Sequence, residues 1–172
     1  MHHPGAVGTL AAQLPGMRPN LPARRRPPHH PPIERDGRGA LLFVTACTRD
    51  RKPILANEAV HGLLREGWVL ANTWLVGRYV IMPDHIHLFC APADPNVSLS
   101  HWMRFWKSHV SRRWPDPSEQ PIWQSSCWDT QLRRRESYDA KWDYVRMNPV
   151  RRGLVADPER WPYAGVIAEL AW

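Results

Sequence analysis

Cysteine is scarce in this chain, and Cys47, Cys90 and Cys127 are odd in number and widely spaced. They form neither a disulfide framework nor a zinc set, and read as reduced thiols of a cytoplasmic protein. Long hydrophobic runs are missing. None approaches the ~20 residues of a membrane span, and the first residues lack the charged start and apolar centre of a signal peptide. No membrane partner is expected. Internal repeats are absent, which excludes a solenoid. Acidic residues are the minority charge, 16 against 23 Lys and Arg, for a net of +7. A balance of that sign points to a polyanionic partner, nucleic acid being the commonest for a domain of this size.

Proline and arginine crowd the start of the chain. Residues 1–40 hold Pro4, Pro15, Pro19, Pro22, Pro27, Pro28, Pro31 and Pro32 around Arg24-Arg-Arg26, with few large apolar residues. Such a segment cannot bury enough surface to offset the entropy of ordering, and is expected to be a disordered arm. Its six arginines against Glu34 and Asp36 give it +4 of the total +7.

From residue 41 to 172 the composition is that of one folded domain. Leu41–Thr48 is β-rich. Asn57 or Glu58 opens a helix to about Leu70, with Val60, Leu63, Leu64 and Trp68 at helical spacing. Trp74–Met82 and His85–Ala91 read as strands joined by a tight Pro83-Asp84 turn. Ser98 or Ser100 caps a helix to about Trp114, stopped by Pro115, with Trp102, Trp106 and Val110 as its core stripe. Ile122–Leu132 is a fourth strand anchored by Trp123 and Trp128, and Glu136 to about Met147 a third helix. The order β-α-β-β-α-β-α predicts an α+β, ferredoxin-like antiparallel sheet with an added C-terminal helix. Most of the ten tryptophans lie at core spacing, leaving one or two to stack on bases.

The chemistry concentrates in Met82-Pro-Asp-His-Ile-His-Leu88. If Ile86, Leu88 and Cys90 are buried on a strand of period two, His85 and His87 point together at the opposite face. Taken alone, such a pair reads first as two polar residues on the wet side of a sheet and second as an anchor for a metal. On the third helix, Trp142, Val145 and Pro149 cluster at about 100° per residue as a buried stripe, while Tyr144 and Asn148 share another face near Lys141. Asn148 can equally cap a helical turn with Pro149 in first position and Gly153 ending it. Asp84 reads first as a turn residue and second as an outer partner for a histidine.

These residues resemble a family. Met82-Pro-Asp-His-Ile-His-Leu88, Trp123-Gln…Trp128-Asp129, Tyr144-Val-Arg-Met-Asn-Pro-Val-Arg-Arg-Gly-Leu-Val155 and Trp161-Pro-Tyr163 together look like the single-tyrosine HUH transposases. The closest branch is the REP-associated tyrosine transposases, similar to insertion-sequence enzymes. The resemblance covers about residues 41–165. It implies metal-dependent cleavage and strand transfer of single-stranded DNA at hairpin-forming repeats, through a 5′-phosphotyrosine. It casts Tyr144 as nucleophile and His85, His87 and Asn148 as ligands of Mg2+ or Mn2+, with no other cofactor. Since tyrosine with its ordinary pKa of about 10 is a poor nucleophile, a nearby cation is needed. DNA contacts are expected from Arg104, Lys107, Arg112, Arg133, Arg134, Arg135, Arg151 and Arg152. A monomer is favoured over a homodimer. The alternative is a domesticated hairpin-binding protein without cleavage activity. The tail departs from the pattern, reading Trp161-Pro-Tyr-Ala-Gly165 where relatives carry serines.

Overall fold

In the computed structural model, residues 40–132 and 135–170 are described. The Pro-rich arm up to residue 39, Arg133, Arg134, Ala171 and Trp172 lie outside them, while Ala40, counted with the arm from sequence, is buried in the core. Leu41–Thr48 forms strand β1, Trp74–Met82 β2, His85–Pro92 β3 and Trp123–Leu132 β4. Helices are α1, Glu58–Leu70; α2, Leu99–Arg112; and α3, Arg135–Arg146, followed by the single turn α4, Asn148–Arg151. A last strand, β5, spans Ala164–Val166. The sheet order is β4-β1-β3-β2-β5, and every pairing is antiparallel. Its first four strands have the ferredoxin-like order expected.

Local chemistry sets the helix starts. The Asn57 side chain accepts from the Val60 amide at 3.0 Å, and Ser98 accepts from the His101 amide at 3.3 Å, each satisfying an orphan donor of a first turn. The two helices so placed cover one face of the sheet. Beneath them Leu42, Val44 and Ala46 of β1 and Ile86, Leu88 and Cys90 of β3 join Trp68, Trp102 and Trp106 in one buried cluster. The indoles meet edge to face, Trp68 to Trp106 at 6.0 Å and Trp102 to Trp106 at 6.1 Å between centroids.

A second, smaller cluster occupies the other face. Leu41, Phe43, Val80, Met82 and Phe89 pack there with Val145, backed by Tyr138, Trp142 and Trp161. α3 and the C-terminal segment therefore lie on the face that α1 and α2 leave open. The tail, which reads from sequence only as an aromatic extension, adds β5 to the edge of β2. The amide of Ile81 donates to the Tyr163 carbonyl at 2.8 Å, and Trp161 Nε1 donates to the Ile81 carbonyl at 2.9 Å. A three-residue strand carries too short an alternation to be legible. β5 also needs Gly165, because a Cβ there would stand 2.9 Å from the buried Tyr79 hydroxyl. Trp123 packs partly buried against the core, but Trp128, expected as its fellow anchor, is 39 % exposed.

Among the described residues the indole nitrogen of Trp106 has no hydrogen-bond partner, so this side chain acts through packing and ring contacts and not through a hydrogen bond. Trp106→Ala should cost about 3–5 kcal/mol in denaturant unfolding, whereas Trp106→Phe, which forfeits no hydrogen bond, should cost much less. Equal losses in the two variants would contradict this reading of the core.

Candidate active site

The register of β3 against both neighbours decides what stands where. Ile86, Leu88 and Cys90 are fully buried under the helices, so His85 and His87 project from the opposite face. His85 lies across from Cys47 on β1 and Met82 on β2, and His87 across from Thr45 and Val80. The Nε2 atoms of the two imidazoles face each other at 3.1 Å. Each ring is held from behind through Nδ1. His85 Nδ1 donates to Asp84 Oδ1 at 2.7 Å, and His87 Nδ1 shares a hydrogen bond with Thr45 Oγ1 at 2.9 Å. Asp84 is thus both the turn residue between β2 and β3 and the outer partner of His85. Arg51 Nε contacts the other carboxylate oxygen, Asp84 Oδ2, at 2.8 Å.

Burial holds both histidines below the ordinary imidazole range. For His85 the Asp84 hydrogen bond opposes that trend without reversing it. For His87 burial is joined by His85, Lys141 and Arg51, and the ring is lowered to about 3. Burial works the other way on the Asp84 carboxyl, but the His85 hydrogen bond, then His85, Arg51 and Arg152, outweigh it and leave the group lowered. At neutral pH, then, two uncharged imidazoles stand beside a carboxylate.

This donor set fits part of a divalent-cation site. With Nδ1–H committed to Asp84, His85 Nε2 carries a lone pair, the form in which histidine binds metals. Two nitrogens each about 2.1 Å from one octahedral ion and at right angles lie roughly 3 Å apart, matching the 3.1 Å found. The protein's contribution is incomplete. Among the described residues no group of three or more His, Cys, Asp and Glu side chains gathers as a metal would require. Any further ligands would have to be oxygens of another kind.

α3 and α4 bring their residues to this face. Lys141 Nζ lies 4.7 Å from the centre of the Phe43 ring, which stacks on His87 at 5.3 Å. Arg152 Nη2 lies 4.0 Å from Asp84 Oδ1. Lys141 and Arg152 thus bracket the histidines, and Tyr144 and Asn148 fall between them in sequence. Tyr144 is 62 % exposed, while its neighbour Val145 is buried, as the helical wheel predicts. Among the described residues neither Tyr144 nor Asn148 hydrogen-bonds to a histidine. Both are held by Arg151, whose guanidinium lies 4.0 Å from the centre of the Tyr144 ring and donates to the Tyr144 carbonyl. Arg151 Nη1 also donates to Asn148 Oδ1 at 2.6 Å. Asn148 is not the cap considered from sequence. It is the first residue of α4, the cap position is Met147, and no side chain caps the turn. Gly153 does end it, with φ +67.

The basic residues expected to meet DNA divide between faces. Arg151 and Arg152 are on the histidine side. Arg104, Lys107 and Arg112 belong to α2, across the sheet. Lys107 is not free: Nζ donates to the Gln124 carbonyl at 3.2 Å beneath the Trp123 ring, and burial lowers its pKa. Arg112 donates to Ser108 at 2.9 Å. Arg133 and Arg134 are outside the described residues, as is the side chain of Arg135, the first residue of α3. Sequence reasoning missed Thr45, which the pairing of β1 with β3 places beside His87. It also missed Arg51, hidden in a run of loop charges.

The depressed histidines make a testable statement about acid stability. Between its ordinary value of 6.5 and about 3, His87 binds a proton in the unfolded chain but not in the folded one. Stability therefore falls as pH drops through that window. Metal-free protein in EDTA should lose Tm from about pH 6.5 downward, and His87→Gln should flatten that slope. An unchanged slope in the variant would contradict the assignment.

With this geometry in hand, the comparisons are specific. The family model described as "Transposase IS200 like" matches residues 42–141, which include both histidines and end before Tyr144. The REP-associated tyrosine transposase of Escherichia coli (strain K12) is 24% identical over 131 residues, 74% of this chain and 76% of that one. A relative from Haemophilus influenzae is 27% identical over 95 residues, 49% of this chain and 54% of its own. A solved structure of a REP-associated tyrosine transposase bound to a REP hairpin shares the fold. It superposes with a TM-score of 0.66 at 21% identity, covering 83% of this chain and 81% of that one. The family match spans more than half of the chain and contains the histidine strand, and the chain belongs to the IS200-like transposase family.

Proposed function

We propose that this transposase cuts and rejoins single-stranded DNA beside hairpin-forming repeats, with Tyr144 as the nucleophile. The observation that carries the reading is the facing pair of neutral His85 and His87 Nε2 atoms, backed by Asp84 and Thr45 and bracketed by Lys141 and Arg152. His85, His87 and Asn148 are the residues that would hold a magnesium or manganese ion, which when bound supplies positive charge to the phosphate. Two imidazoles are a poor set for a hard cation, so ion and DNA are expected to bind together. Arg151 contributes by release. Once its guanidinium turns to a DNA phosphate, the Asn148 amide oxygen it now occupies is free, and the Tyr144 ring is uncovered.

In the reaction the Tyr144 hydroxyl loses its proton to solvent and its oxygen attacks phosphorus. The bond to the 3′ oxygen breaks, that oxygen takes a proton, and the 5′-phosphate remains on the tyrosine. Attack by a 3′-hydroxyl of the same or another strand reverses the step and rejoins DNA without ATP, because the ester conserves the phosphodiester bond. Hairpin DNA as partner is supported by the solved relative, which was bound to one. Action as a monomer in the cytoplasm completes the reading.

Labelled single-stranded hairpins on a denaturing gel test it. Wild type with Mn2+ should give an SDS-resistant adduct on the downstream fragment. EDTA and Tyr144→Phe should abolish it, and His85→Ala should cut the rate at least about 100-fold. Cleavage surviving Tyr144→Phe would remove Tyr144 from the role. Tight hairpin binding with no cleavage under any metal would identify a binding protein that no longer cuts.

A further inference from the structure

Arg51 follows β1 in a three-residue helical turn, Arg49–Arg51, whose backbone is unusual. Asp50 has φ 56 and Arg51 φ 57, and they are the non-glycine residues with positive φ among those described. Such backbone is disfavoured for any residue that carries a Cβ, and persists where the surroundings impose it. Here backbone contacts seat the turn against the loop before β3, and Arg51 reaches Asp84 from it. The Thr48 amide donates to the Asp84 carbonyl at 3.0 Å and the Arg49 amide to the Ile122 carbonyl at 2.7 Å, pinning the start of the turn, while the Thr48 hydroxyl donates to the Lys52 carbonyl at 2.9 Å and holds its end.

Among the described residues, the guanidinium that results is held firmly at one corner and only weakly engaged at the others. Its Nε reaches Asp84 Oδ2 at 2.8 Å, on the carboxylate whose other oxygen orients His85. Among the described residues Nη1 donates to the sulfur of Cys47, a weak acceptor, at 2.8 Å, and to no oxygen. Nη2 lies 3.4 Å from His85 Nδ1, but that nitrogen already gives its hydrogen to Asp84, so two donors face each other. A side chain 44 % exposed thus presents N–H groups beside His85 with no strong acceptor among the described residues. A planar fork of donors of this kind matches the oxygens of a phosphodiester.

We infer that Arg51 is a substrate-contacting residue, its guanidinium aimed to receive a non-bridging oxygen of a DNA phosphate in the single-stranded segment that lies along the histidine face. This rests on the proposed reading that this face receives DNA. Asp84 fixes Nε while Nη1 and Nη2 grip the phosphate, so one carboxylate orients His85 and Arg51 together. The left-handed turn serves to bring a cation to β3 from the far end of β1. As charge develops on the non-bridging oxygens during attack by Tyr144, these donors are already in place and need no reorganisation.

The test compares wild type with Arg51→Gln, Arg51→Gly and Arg51→Lys, in EDTA, on a hairpin with a single-stranded flank and on the same hairpin trimmed blunt. Anisotropy should show Arg51→Gln and Arg51→Gly binding the flanked hairpin about 10-fold more weakly, with the log–log salt slope smaller by about 0.7. Blunt hairpin binding should be unchanged, and Arg51→Lys should keep the slope while losing part of the affinity. Arg51→Gly relieves the positive φ, so its Tm should match or exceed that of Arg51→Gln, separating lost contact from lost stability. Unchanged affinity and slope on the flanked hairpin, or equal losses on both DNAs, would overturn the inference. Where wild type cleaves, equal kcat/KM for Arg51→Gln would overturn it as well. If wild type does not cleave, the phosphotyrosine reading fails, and the flank comparison still decides Arg51.

Discussion

The pairing of β3 between β1 and β2 is the constraint on which the histidine face depends. A strand in the middle of a sheet has its register fixed on both sides, and its period of two sends alternate residues to opposite faces. The burial of Ile86, Leu88 and Cys90 beneath α1 and α2 therefore fixes the orientation of His85 and His87. The same pairing delivers Thr45 to His87. The tight turn before the strand delivers Asp84 to His85. No flexible loop is asked to place an imidazole, and this gives the rigidity that a preorganised site needs.

The basic residues that bear on DNA fall into two groups on opposite faces of the sheet. On the histidine face Arg51 and Arg152 approach Asp84, and Lys141 sits over Phe43, so that cations ring a pair of neutral rings. Across the sheet, Lys107 is drawn into the groove between α2 and β4, and Arg104 and Arg112 lie along the same helix. A polyanion touching both groups would have to wrap around the edge of the sheet. The row Trp128–Thr45–His87–Val80, formed by directly opposed residues of four strands, leads from the β4 edge toward the histidines. Its exposed Trp128 is an aromatic surface on that route.

Much of this was legible in the sequence, because the signals were local. Asn57 and Ser98 announced their helices by chemistry that acts within one turn. The alternation in His85–Cys90 announced its faces, and the stripe of Trp102, Trp106 and Val110 its burial. What stayed hidden depends on long-range placement or on uncommon backbone. Thr45 matters only once β1 is known to lie beside β3. Arg51 was one of several charges in a loop, and nothing in Arg49-Asp-Arg-Lys52 signals two left-handed residues in succession. Lys107 reads as an ordinary solvated base until Trp123 is seen to cover it. The helix break at Met147, which detaches Asn148 from α3, comes without a residue before Pro149 that would forbid continuation, so a smooth wheel through Asn148 was the natural reading.

The alternation along β3 has a consequence for how the chain can change over generations. The core and the site are interleaved on one strand, residue by residue. A single inserted or deleted residue within it would turn the imidazoles into the helix-covered interior and expose Ile86, Leu88 or Cys90 in the same event. Such a copy would lose its fold along with its chemistry. Length errors in this strand are thus self-eliminating, and variation that survives there must come by substitution, one side chain at a time.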